Sequence, residues 1–68
     1  MYHYYVNDNA QSTGEHEVHR IGCSFMPAHG NKTYLGHFSN CQEAILRARQ
    51  IYWKVDGCYY CSRDCHTK

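Results

Sequence analysis

Long apolar runs are missing from this sequence, and nothing in it approaches the roughly 20 successive apolar residues that a membrane-spanning helix needs. Charge of one sign is missing too. Lys and Arg number 7 against 6 Asp and Glu, a formal net charge of +1, so no field strong enough to coat a polyanion is expected. Proline occurs once, and Val, Leu and Ile are sparse. The 43% hydrophobic content counts seven Tyr and five Cys, and the mean hydropathy is -0.74, that of a polar chain. The opening residues Met1 to Asp8 have neither the basic nor the apolar region of a secretory signal, although a chain whose leader had been removed would read the same. The expectation is a cytoplasmic monomer without membrane contact, in reduced surroundings where metal is favoured over disulfides.

The 68 residues leave room for a single domain, 1–68, and at that size an apolar core alone seldom supplies more than about 3–5 kcal/mol. What the sequence does hold is five Cys and six His, and an odd number of cysteines suits ligands better than a closed set of bridges.

Tyr2 to Val6, aromatic and β-branched, predicts a strand. The polar run from Asn7 to Gly14 predicts a loop, and Glu15 to Ile21 a returning strand that completes a hairpin. After the turn formers between Met26 and Lys32, Thr33 to Phe38 predicts a third strand. Ser39 with Gln42, or Asn40 with Glu43, has capping-box spacing, and Cys41, Ala44, Ile45, Ala48, Ile51, Tyr52 and Val55 recur at helical spacing. A helix over Cys41 to Val55 follows, with Asp56-Gly57 as its stop and Gly57 as a left-handed C-cap. The fold class expected is α+β, an antiparallel sheet of about three strands packed against one helix.

Zinc takes four Cys or His ligands in a tetrahedron, commonly as two close pairs. Cys58-x2-Cys61 is one such pair, and a tight turn can aim both sulfurs at one ion. His19-x3-Cys23 is the other, with Gly22 to bend the chain between them. The predicted site is therefore one Zn2+ held by His19, Cys23, Cys58 and Cys61, while His16, Cys65 and His66 compete for the place of His19. Cys41, in the first helical turn, reads as a ligand, a reactive thiol or a small buried residue, and a Cys41–Cys65 disulfide is a further reading. Three clustered thiols at Cys58, Cys61 and Cys65 also raise iron–sulfur ligation, which so little protein would shield poorly.

The arrangement His19-x3-Cys23, a strand ending at Tyr34-Leu35-Gly36-His37-Phe38, a helix containing Glu43-Ala44, and Gly57-Cys58-x2-Cys61 resembles the zinc-binding domain of Ada-type bacterial DNA repair proteins. It resembles still more the related small modules that begin with His-x3-Cys. The likeness covers roughly Glu17 to Cys61, and the whole chain is similar to a group of small bacterial proteins without assigned function. In Ada-type domains the first ligand is the thiolate that accepts a methyl group from a DNA phosphotriester. Here that place is held by His19, so the resemblance implies a structural zinc site and a small mixed sheet rather than methyl transfer.

The function expected is a non-catalytic zinc module that meets a protein or nucleic-acid partner through Tyr59, Tyr60, Trp53 and the basic residues Arg47, Arg49 and Lys54. Residue by residue these also read as core filler and solvated face. Two other classes are carried beside it: a zinc buffer or sensor, and a thiol enzyme with Cys41 as nucleophile and His37 as base.

Overall fold

The aromatic and β-branched start of the chain does form a strand. In the computed structural model, which describes residues 1–67, β1 (Tyr2–Asn7) is followed by β2 (His16–Arg20), β3 (Lys32–Phe38), helix α1 (Cys41–Ala48) and β4 (Val55–Gly57). A short 3-10 turn covers Arg63–Cys65. The sheet order is β3-β1-β2-β4. β1 pairs antiparallel with β2, setting Tyr5 opposite His19 and Val6 opposite Val18, and antiparallel with β3, setting His3 opposite His37. β4 joins β2 in parallel, with Glu17 opposite Asp56. The architecture is α+β as expected, with a fourth, parallel strand added to the anticipated three.

Side chains alternate across a strand, so Tyr4, Val6 and Val18 share one face and His3, Tyr5 and His19 the other. The first face carries the apolar core, in which these residues and Leu35 meet Cys41, Ala44, Ile45 and Ala48 of α1. The helical members follow an i, i+3, i+4, i+7 stripe, and two alanines on it let the helix axis lie close to the sheet. Asn40 caps the helix by accepting from the Glu43 backbone N–H at 3.0 Å, and the Glu43 carboxylate accepts from the Ser39 N–H at 2.9 Å. Of the two capping pairs read from the sequence, Asn40 with Glu43 supplies the N-cap, while the Glu43 carboxylate closes on Ser39 rather than on the Asn40 N–H.

The helix is shorter than its periodicity predicts, ending at Ala48 rather than Val55. Its last turn tightens, with the N–H groups of Gln50 and Ile51 bonding three residues back to Arg47 and Ala48. Tertiary contacts then overrule the helical spacing. The Tyr52 hydroxyl donates to Asp8 Oδ1 at 2.8 Å, its ring stacks on His16 at 3.7 Å, and Val55 to Gly57 pair with β2. Gly57 is therefore a strand residue with no positive φ, not a C-cap. Its missing side chain serves a close approach instead: a Cβ there would lie 2.5 Å from the Ser62 carbonyl oxygen and 2.6 Å from the Cys65 Cβ.

Candidate metal centre

The core face is thin, and the largest fully buried side chains include His19, Asp56 and Cys58 beside Val6 and Val18. The buried interior thus includes large polar side chains beside the apolar core, which demands partners for the buried nitrogen and sulfur. Alternation along β2 turns Val18 into the core and His19 to the opposite face. Because β4 lies alongside β2, Cys58 emerges from it next to His19, and its N–H bonds to the Val18 carbonyl at 2.9 Å.

Two turns bring in the remaining thiols. After β2, Gly22 takes φ +90, where a side chain would be strained, and the Cys23 N–H reaches back to the Arg20 carbonyl. After β4, the Cys58-Tyr59-Tyr60-Cys61 turn folds so that the backbone N–H groups of Tyr60 and Cys61 point at Cys58 Sγ. Outside both turns the Phe25 and Tyr60 rings stack at 4.2 Å, clamping one turn against the other.

The result is a cluster of His19, Cys23, Cys58 and Cys61 whose donor atoms all lie within 4.8 Å of one another. Cys23 Sγ is 3.8 Å from Cys58 Sγ, and Cys61 Sγ is 3.8 Å from His19 Nδ1. Sulfurs at about 2.3 Å from a tetrahedral ion would stand about 3.8 Å apart, so the spacing fits a single metal ion. Around the cluster, the Phe25 N–H donates to Cys23 Sγ at 3.4 Å, and the Arg20 N–H donates to Cys61 Sγ at 3.2 Å, a contact that favours the Cys61 thiolate over the thiol. On the far side of the imidazole, His19 Nε2 faces Glu17 Oε1 at 3.6 Å. A neutral ring with Nδ1 toward the sulfurs carries its proton on Nε2, toward that carboxylate, the orientation that outer carboxylates impose on metal-binding histidines.

Without a cation the protein environment opposes charge here. Burial, then the Cys23 thiol, pushes the Cys61 thiol up to about 12 against the pull of the Arg20 N–H. Burial also raises Cys58 and lowers His19. A neutral imidazole is what a metal needs, and a divalent cation reverses the cost of the buried thiolates.

The competitors for the His19 place are engaged elsewhere. His16 lies against Tyr52, with Nδ1 2.9 Å from the Asn7 carbonyl. His66 Nδ1 is 3.0 Å from the Gly57 carbonyl and 3.1 Å from Asp56 Oδ2, and since a carbonyl only accepts, this nitrogen carries a proton. Cys65 forms a disulfide with Cys41, which leaves Cys41 neither a free nucleophile nor a metal donor. Of the partner-binding residues read from the sequence, Tyr59 and Tyr60 meet edge to face at 5.1 Å, whereas Trp53, 93% exposed, stands between α1 and β4, Arg47 is turned to Gln50, and Lys54 reaches the Thr13 carbonyl. The spacing of ligands does not point to Glu17 or Asp56 as parts of the site, and Asp56 reads from the sequence only as part of a helix stop. Glu17 had a signal, since it precedes His19 by two in a strand and so shares its face. Asp56 had none: it is 1% exposed, and its Oδ1 accepts from the Thr67 backbone N–H and hydroxyl at 2.8 and 2.9 Å, bonds that exist only because the tail returns.

No helix among the described residues is long and apolar enough to cross a membrane. The chain matches no protein-family model, no curated protein and no solved structure.

Proposed function

We propose that this chain is a small zinc-stabilised module, with one Zn2+ held by His19, Cys23, Cys58 and Cys61 in a structural site, and that the domain so fixed meets a protein or nucleic-acid partner. The observation that carries the reading is the convergence of four donors, from segments far apart in the chain, to within 4.8 Å. Zinc is favoured over other ions by the donor chemistry of three thiols and one imidazole, and over an iron–sulfur cluster because Cys65 is in a disulfide. Four protein donors fill a tetrahedron and leave no position for a metal-bound water or substrate, and the place of the Ada-type nucleophile is held by an imidazole, which together support a structural role. Bound zinc supplies a cross-link between the turn after β2 and the turn after β4.

His19 in the place where Ada-type modules have their methyl-accepting thiolate fits the same reading, and we carry that kinship as part of the proposal. A partner-binding role is supported by the exposed rings of Phe25, Tyr60 and Tyr59, which touch one another outside the core. A buffer role is less well supported, because His19 and Cys58 are 1% and 2% exposed and a closed site releases metal slowly.

Native mass spectrometry with and without chelator tests the site. One zinc per chain, lost on chelation, is the expected result; a chain that binds no zinc at neutral pH, or that carries iron and sulfide, sinks the proposal.

A further inference from the structure

We propose that His3 and His37 form a second, exchangeable site for a divalent transition metal, on the sheet face turned away from α1. The two residues are direct partners across β1 and β3. Both are exposed, and their rings stand face to face with centroids 4.4 Å apart and planes 17° from parallel. The stack leaves the ring edges, where the nitrogens are, open to solvent.

His3 Nδ1 is 2.8 Å from the Tyr34 hydroxyl, which leaves Nε2 unengaged, and His37 has no hydrogen-bond partner for either nitrogen among the described residues. Directly opposed residues in an antiparallel pair have Cβ atoms about 4.5–5.5 Å apart, a gap that two imidazoles can close on one ion at about 2.0–2.1 Å from each nitrogen. Chelation requires the rings to turn from parallel to converging, a rotamer change that exposed side chains make freely.

Imidazole suits Zn, Cu and Ni, with affinity rising toward Cu2+. Two protein ligands leave the rest of the coordination sphere to water, so metal here exchanges quickly. The buried four-donor cluster is the opposite case, and the second site does not depend on it: the strands that hold His3 and His37 contribute nothing to that cluster.

The test is a Ni2+ titration of the zinc-loaded protein followed by amide NMR, with His3→Ala, His37→Ala and the more conservative His37→Gln beside the wild type. Paramagnetic broadening should centre on residues 3, 34 and 37 while the signals of Cys58 and Cys61 hold their positions. Each substitution should weaken the apparent affinity at least about tenfold, since it removes one of two ligands. Broadening that centres on His29 or His66 would overturn the pair. So would broadening that follows His3 but survives both changes at His37, or nickel effects confined to the signals of Cys58 and Cys61.

Discussion

The body of the molecule, β1, β3 and α1, is held by packing, helix caps and hydrogen bonds, each replaceable at modest cost. The tail after β4 is held differently. Cys58 and Cys61 belong to the four-donor cluster that could hold a metal, Cys65 is bonded to Cys41 of α1, and the Thr67 backbone N–H and hydroxyl donate to buried Asp56. Body interactions are many and weak, whereas tail interactions are few and strong, and each tail cross-link depends on the redox or metal state of the surroundings. The two cross-links also make opposite demands: thiolates must stay reduced to hold a metal, while the Cys41–Cys65 bond must be oxidised. A thin core explains why cross-links carry so much, since burying a whole Val side chain contributes only about 1.5–3 kcal/mol and few such side chains are present.

The largest expected effect breaks the tail from the metal side. Structural zinc in small domains contributes on the order of 10–16 kcal/mol apparent at neutral pH, above the roughly 3–5 kcal/mol that a core of this size supplies. Chelation should therefore replace the folded far-UV circular dichroism by that of an unordered chain and abolish the near-UV signal, and Cys58→Ser should behave like the chelated wild type. Unchanged spectra after metal removal verified by mass would mean that the body folds without the cluster.

Opening the disulfide comes next. In the chain-entropy account, a bridge across 24 residues restricts the unfolded chain by roughly 3.5 kcal/mol. The double variant Cys41→Ala with Cys65→Ala should lose about that much in urea unfolding while keeping its full metal content. Loss of metal together with the bridge would show that the two cross-links act as one unit.

A smaller effect lies where tail and sheet touch. Gly57→Ala places a Cβ within 2.8 Å of both Ser62 and Cys65, and overpacking of that kind costs about 1–3 kcal/mol. The midpoint of urea unfolding should fall at unchanged metal stoichiometry. A neutral outcome would mean that the 3-10 turn at Arg63–Cys65 shifts freely and that the tail is tied only through its cysteines.

The body and the tail also differ in how far the sequence betrays them. β1, β3 and the start of α1 follow from neighbouring residues: alternation at Tyr2 to Val6, and the Asn40–Glu43 cap before an apolar stripe. The two turns that carry His19-x3-Cys23 and Cys58-x2-Cys61 are local as well, so which residues gather at the site was legible from spacing. The end of α1 was not, because Ile51, Tyr52 and Val55 keep helical spacing although their partners, Asp8, His16 and β2, lie far away in the chain. A parallel strand of three residues has too little pattern to announce itself, and Gly57 looks like a helix stop until the tail packed on it is known. The Cys41–Cys65 pairing depends on the same return of the tail, and so stayed one reading among several.

The smallest effect tests the body alone. The Tyr52 hydroxyl donates to Asp8 Oδ1, which also accepts from the Thr33 hydroxyl at 2.7 Å, and this network ties the segment after α1 to the ends of β1 and β3. Tyr52→Phe keeps the ring that stacks on His16 and removes only the hydroxyl, so the cost should be about 1 kcal/mol for a half-buried bond. Its pH dependence has a definite sign. The hydrogen bond to Asp8, then burial and the Asp8 charge, raises the Tyr52 phenol above its ordinary value of 10.0. The folded protein thus holds this proton more tightly than the unfolded chain, and the contribution is complete below about pH 10 and fades as pH rises through the folded value. Contributions common to wild type and variant cancel in the difference. The gap in unfolding free energy between wild type and Tyr52→Phe should therefore be constant from pH 7 to 9 and narrow above 10, with metal content the same in both. A gap that widens with pH would show that the Asp8 bond is not what holds the proton, and a variant that loses metal would show that the body and the tail are not separable.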